Sequence, residues 1–258
     1  MNYTLLTSEV CRVAREAGTY LRQEQRKLRA DQVERKHAHD YVSYVDKTSE
    51  EKIVAQLRTL LPEAGFLTEE GTTGNRHGEA VWWVIDPLDG TTNYVHGTGP
   101  FAVSIALRNA TEILLGVVYE VTLDECFSAW QGGGAYLNGQ PIHVSAKPIE
   151  EALLGIELPY DADMYREIGI SLIRRFYGLC GGIRMNGSAA VALCYVACGR
   201  WDGWLERGLG QWDFMAAALI VSEAGGIVTG FQGEPFFLNG DGVIASNAQV
   251  HGNLLQAL

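Results

Sequence analysis

The chain has 258 residues, 47% of them hydrophobic, and 30 glycines, enough apolar material for one large domain or two joined lobes. That composition excludes a disordered or fibrous class. A formal net charge of -11 argues against nucleic acid or an anionic membrane as the main partner, since both would repel it. No stretch approaches the length of a membrane span. The opening Met1-Asn2-Tyr3-Thr4 lacks the basic and apolar regions of a signal peptide, so the expected location is cytoplasmic. Five cysteines without a Cys-x-x-Cys pair fit reduced thiols better than a disulfide framework. Cys194 and Cys198, one helical turn apart, read as core packing.

From Thr7 to about Arg29, apolar Val10, Val13, Ala14, Ala17 and Leu21 recur at helical spacing opposite Arg and Glu, which predicts an amphipathic helix. Ala30 to Tyr44 is polar and mixed in charge, a loop or hairpin ahead of a second helix over roughly Ser49 to Leu61. Within it, His37-Ala38-His39-Asp40 reads as a charged surface loop, because no further spaced ligands accompany the histidines. Trp82 to Ile85 is an apolar run that predicts a strand buried on both faces.

From Phe101 to Val144 the period becomes two. Phe101, Val103, Ile105 and Leu107 alternate, Ile113 to Val121 and Cys126 to Trp130 follow, and Asn138-Gly139 is a hairpin turn, together an antiparallel meander. Gly132-Gly133-Gly134 lacks the Lys and Ser/Thr of a phosphate loop and reads as a turn or bulge. Beyond Ala152 short strands alternate with helices over Ser188 to Cys198, Phe214 to Ala224 and Ala248 to Leu258. The layout is an antiparallel α+β lobe over residues 1–150 joined to an α/β lobe over residues 151–258, with the site in the cleft between them. Trp82, Trp83, Trp201, Trp204 and Trp212 read as packing, not as base-stacking platforms.

The chemistry is concentrated in Asp86-Pro87-Leu88-Asp89-Gly90-Thr91-Thr92-Asn93. Open sheets carry reactive groups just beyond the ends of buried strands. Pro87 fixes its own φ and biases Asp86 toward extended backbone, so both carboxylates sit on a stiff turn. Gly90 admits close approach of a ligand, and Thr91 or Thr92 can cap a following helix whose free N–H groups attract an anion. Two further acidic segments are Glu69-Glu70 and Asp213, the latter in Gln211-Trp212-Asp213-Phe214. Taken singly, Asp86-Pro87 is a turn, Asp213 an N-cap and Glu69-Glu70 a solvated pair. Oxygen donors of this kind in one cleft select hard cations such as Mg²⁺, with waters and a phosphate completing the shell.

In their order and setting these segments make the chain resemble the inositol monophosphatase family of metal-dependent phosphatases, over Thr7 to about Asn247. Thr68 stands where the family usually has Gly before its Glu pair. The resemblance implies a layered αβαβα sandwich of the sugar-phosphatase type, with an antiparallel sheet in the N-terminal half. It implies that Glu69, Asp86 and the Leu88 carbonyl hold one Mg²⁺ and that Asp86, Asp89 and Asp213 hold a second, with a third near Glu69. It further implies direct attack of water on a phosphate monoester. Thr91 and Asp46 orient that water, Glu70 positions water or Glu69, and Asp89 and Gly90 to Thr92 meet the substrate phosphate. Asn186-Gly187-Ser188-Ala189-Ala190 and Glu206 match the family's polyol pocket, with Glu206 and the Ala190 backbone at the hydroxyls. Lys36 matches a family lysine near the active-site loop, although an isolated Lys is ordinarily a solvated charge.

The nucleotidase branch of the family carries Lys-Glu-Phe after its Asp-Gly-Thr, whereas this chain has Thr92-Asn93-Tyr94-Val95-His96-Gly97. That favours inositol phosphates. The resemblance implies a lithium-sensitive, homodimeric phosphatase of a small phosphorylated polyol, and the net charge leaves no nucleic-acid or membrane partner expected. Fructose 1,6-bisphosphate, histidinol phosphate and 3′-phosphoadenosine 5′-phosphate are the alternative substrates. A noncatalytic regulator or binding protein on the same scaffold is the alternative of another class.

Overall fold

The computed structural model describes residues 1–28, 33–37, 40–73, 79–158, 162–235 and 242–258, without the side chains of 34–37, 40–42 and 162–165. Helix α1 (Tyr3–Gln25) starts earlier than the expected Thr7, because the Asn2 side chain accepts the Leu5 N–H and caps it, and stops short of Arg29. Its predicted core stripe of Val10, Val13, Ala14, Ala17 and Leu21 is buried throughout. The polar stretch that follows contains a hairpin of β1 (Val33–His37) and β2 (Asp40–Ser43). The Lys36 side chain and the residues of the His37-Ala38-His39-Asp40 cluster beyond the backbone of β1 and β2 lie outside the described residues. Helix α2 (Tyr44–Leu60) begins well before the expected Ser49: Ser43 is its N-cap, and the Asp46 carboxylate accepts the Ser43 N–H and hydroxyl, each at 2.8 Å.

A seven-stranded sheet follows, in spatial order β3 (Gly65–Thr68), β4 (Trp82–Asp89), β5 (Ala102–Arg108), β6 (Ile113–Glu120), β7 (Glu125–Trp130), β8 (Ala135–Leu137) and β9 (Gln140–Pro141). Only the β3–β4 pair is parallel, so the expected meander is present. Asn138 and Gly139 form the β8–β9 turn with φ of 49° and 78°, the left-handed pair that a tight hairpin needs. The three-glycine segment is also a turn. The Glu223 carboxylate accepts the Gly132 and Gly134 N–H groups at 2.8 and 2.9 Å, so those donors are engaged within the protein.

Both faces of this sheet are covered. Trp83, Ile85, Val103, Ile105 and Val117 pack toward α1 and α2. Val84, Ala102, Ala106, Val118 and Phe127 join the opposite core with α5 (Ala189–Ala197) and α6 (Gln211–Glu223). Small residues prevail on that face because α6 nearly touches it: a Cβ on Gly116 would lie 2.3 Å from the Ala216 carbonyl oxygen.

On the far side of α5 and α6 lies a five-stranded sheet in the order β11 (Gly182–Arg184), β10 (Leu153–Ile156), β12 (Gly203–Glu206), β14 (Val243–Ser246), β13 (Ile227–Thr229). It is mixed, parallel from β11 through β12 and antiparallel on either side of β14. Helices α4 (Ala162–Phe176) and α7 (His251–Gln256) close its outer face through Leu172, Phe176 and Leu254. The layers thus run α, β, α, β, α. The five cysteines are free thiols. Among the described residues no helix is long and apolar enough to cross a membrane.

Candidate active site

Asp86 pairs with Ser104, and Asp89 with Ala102, so two residues of β4 face one of β5. Pro87, which has no N–H to give, sits in this bulge. Side chains three apart on a regular strand point to opposite faces. The extra residue restores the phase and turns Asp86 and Asp89 to the same side, where both line one cleft. The turn is pinned on every side. Asp86 Oδ1 accepts the Leu88 N–H at 2.9 Å, the Thr91 hydroxyl donates to the Leu88 carbonyl at 2.9 Å, and Ser49 of α2 donates to the Pro87 carbonyl at 3.2 Å.

Gly90 follows with φ of 85°, and a Cβ there would meet the Pro100 carbonyl at 2.9 Å, so only glycine fits without strain. Neither threonine caps the next helix. Gly90 occupies the cap position, and α3 (Thr91–Val95) starts at Thr91 itself. The threonine hydroxyls are therefore available for other contacts: Thr91 Oγ1 lies 3.4 Å from Asp46 Oδ1, and Thr92 Oγ1 is buried without a hydrogen-bond partner among the described residues.

The other walls come from separate elements. Glu69 follows β3, and the buried Glu50 of α2 shapes its loop by accepting Thr68 Oγ1 at 2.9 Å, the Glu70 N–H at 2.8 Å and the Thr72 N–H at 2.8 Å. Thr68 thus has a structural use for its hydroxyl. Asp213 is the third residue of α6 and accepts the Gly210 N–H at 2.6 Å. The Ser104 hydroxyl donates to the Trp212 carbonyl at 3.1 Å, which fixes the start of α6 beside the strand residue paired with Asp86. Ser188 caps α5, and its hydroxyl donates to Asp89 Oδ2, which also accepts the Ala190 N–H at 3.1 Å.

Glu69, Asp86, Leu88, Asp89, Gly90, Thr91, Thr92, Glu206 and Asp213 all line a cleft of about 190 Å³. Asp46 is not on the cleft wall but stands behind Thr91, its Oδ1 3.4 Å from the Thr91 hydroxyl. The Glu70 backbone is held by Glu50 and Glu70 is not on the cleft wall, and Ala189, not Ala190, contributes to the lining. Sequence reasoning missed Glu157, Arg207 and Glu50. Glu157 had a signal, since it ends the apolar run Leu153 to Ile156 as Asp86 ends another.

The cleft is electrostatically strained toward cation uptake. Burial, then Glu69, Asp89 and Asp213, push the Asp86 carboxyl well above the usual carboxylate range. Burial raises Asp89 to about 6 against the opposing hydrogen bonds from Ser188 and the start of α5. Glu206 is raised by burial and then by Glu157, and Glu157 by burial to about 7. Among the described residues no three His, Cys, Asp or Glu side chains form a preassembled metal cage. The donors fit a hard cation that keeps several waters, which is the habit of Mg²⁺. Buried, mutually repelling carboxylates are what such a cation would relieve.

The family model described as the inositol monophosphatase family matches residues 2–258. The chain belongs to that family. Among curated relatives, Nus factor SuhB of Pseudomonas aeruginosa is 40% identical over 96% of this chain and 93% of its own length. The inositol-1-monophosphatase of Mesorhizobium japonicum is 35% identical over 100% and 97%. Among solved structures, the extragenic suppressor protein suhB of Bartonella henselae superposes with a TM-score of 0.92 at 35% identity, covering 98% of both chains. The inositol monophosphatase of Anabaena (Nostoc) sp. PCC 7120 does so with 0.88 at 32% identity, covering 100% of this chain and 96% of the other. The layered fold of the family is therefore the fold of this chain.

Proposed function

We propose that this family member hydrolyses the phosphate monoester of a small polyol, with myo-inositol monophosphate as the leading substrate. One observation carries the reading: the β4 bulge turns Asp86 and Asp89 into a single cleft that Glu69 and Asp213 also line. Glu69, Asp86, the Leu88 carbonyl, Asp89 and Asp213 would hold the Mg²⁺. Bound divalent cations would neutralise charge building on the phosphoryl oxygens and make water acidic enough to attack at neutral pH.

The protein's own groups do the positioning. Thr91, whose hydroxyl reaches the Leu88 carbonyl and lies 3.4 Å from Asp46, orients the attacking water and relays its proton by turning its own O–H from that carbonyl to the Asp46 carboxylate and accepting the water's proton in exchange. The Gly90–Thr92 segment receives the phosphate oxygens, and the unpartnered Thr92 hydroxyl is a donor that such an oxygen satisfies. Across the cleft, Glu206 accepts from or donates to the polyol hydroxyls, and the start of α5 around Ala190 closes the pocket behind Asp89.

The test is phosphate release from myo-inositol 1-phosphate with Mg²⁺, run beside fructose 1,6-bisphosphate, histidinol phosphate and 3′-phosphoadenosine 5′-phosphate. The expected result is preference for the inositol ester, loss of turnover in Asp89→Asn, and a fall in kcat of about 100-fold with little change in KM for Thr91→Ala. A different preferred ester would overturn the pocket reading and leave the hydrolytic centre. A second reading, a regulatory protein without turnover, is favoured by the relatives named Nus factor SuhB at 38–40% identity. Absence of phosphate release from every ester would establish it over the first.

A further inference from the structure

The described residues that line the cleft include six carboxylates and a single cation, Arg207. A lone arginine among so many acids would ordinarily be neutralised by one of them. This one is not: among the described residues Arg207 makes no ion pair and no hydrogen bond, and its Nε is buried without a partner. Its guanidinium instead lies over the Phe231 ring, 4.4 Å from the centroid. Stacking of this kind fixes the plane of the group and leaves its in-plane N–H donors free for a planar acceptor. Arg207 also borders a small recess with Glu157, Leu172, Leu205, Glu206 and Phe231, and this recess shares Glu157, Glu206 and Arg207 with the main cleft.

The proposed phosphate position at Gly90–Thr92 and this arginine belong to different strands' ends, β4 of one sheet and β12 of the other. The geometry points to Arg207 as a specificity residue that reads a second oxyanion, carried on the alcohol part of the substrate at the end away from the ester being cleaved. The fork of donors suits a phosphate or a carboxylate bidentately. Burial raises the carboxyls of the flanking Glu157 and Glu206, which lessens the negative charge they set against a second anion. On this inference, which rests on the phosphatase reading, Arg207 extends the range of esters beyond the inositol ester to those that carry a second negative group in addition to hydroxyls.

The experiment compares fructose 1,6-bisphosphate, 2-phosphoglycerate and myo-inositol 1-phosphate in the wild type, Arg207→Met and Arg207→Lys, with melting temperature as the control for folding. Arg207→Met should lower kcat/KM for the two esters bearing a second anion at least tenfold more than for the inositol ester, mainly through KM. Arg207→Lys should recover part of that difference, because it keeps the charge and loses the fork. Equal losses on all three esters would overturn the inference and leave the phosphatase reading intact. Should no ester be cleaved, that reading falls, and calorimetric binding of the same three compounds still decides. A tenfold selective weakening for the doubly anionic pair in Arg207→Met supports Arg207, and its absence refutes it.

Discussion

At Asp89 one carboxylate is asked to do several things at once. It is buried, it accepts from Ser188 and from the first turn of α5, and its carboxyl is raised to about 6. A carboxyl whose folded value exceeds its unfolded value stabilises the fold most below the unfolded value and loses that contribution as pH rises through the folded one. Metal-free protein should therefore lose stability between about pH 4 and pH 6, by an amount on the order of 3 kcal/mol from this group. Asp89→Asn should flatten the loss. Urea midpoints measured across that range in a chelating buffer give the check, and identical slopes in both proteins would contradict the assignment. Single residues are also where sequence reading falls short. Glu50, in a helix full of charge, looks like a surface acid until the chain folds and loads it with donors from the Glu69 loop. Arg207 likewise has no local pattern, because what distinguishes it is that none of the described residues pairs with it.

At the level of elements, patterns of apolar residues were legible and polar beginnings were not. The helical stripe of α1 and the period-two runs of β5 to β7 appear where their spacing places them, because burial of one face imposes that spacing. The start of α2 was hidden, since Tyr44 to Thr48 present no apolar period and the cap is made by Ser43 and Asp46. The bulge in β4 was equally invisible: Pro87 announces a break, yet the side to which the carboxylates turn depends on pairing with β5. The contact of α6 with the sheet gives a sharp expectation. With the Ala216 carbonyl oxygen 2.3 Å from where a Cβ would stand, Gly116→Val must push the helix away, at a cost of about 1–3 kcal/mol. Since Asp213 begins that same helix, Mg²⁺-dependent activity should fall along with the melting temperature. A variant that melts lower yet keeps its Mg²⁺ dependence would show that the first turn of α6 adjusts independently.

For the whole molecule, the cleft is assembled from both sheets and the helices between them, so its occupancy and the stability of the fold are linked. Millimolar-scale Mg²⁺ should raise the melting temperature of chelator-treated protein, and the chelator should reverse the rise. No shift would contradict a Mg²⁺ site that exists only in the folded chain. Charge follows the same logic: a net -11 surrounds a cleft with six carboxylates and one cationic side chain among its lining residues, so on the proposed function a phosphorylated substrate would gain entry through divalent cations held there.

The core beneath the cleft has one more consequence. Val84, Ala106 and Phe127 of the seven-stranded sheet share it with Leu193 and Phe214 of α5 and α6. During synthesis the sheet is complete at Pro141 while the helices that cover its second face extend to Glu223. For the interval in which a ribosome adds those residues, an apolar face stands open to solvent. The polypeptide that ends this exposure also brings Asp213, so shielding of the sheet from aggregation and completion of the acidic cleft depend on the same stretch of chain.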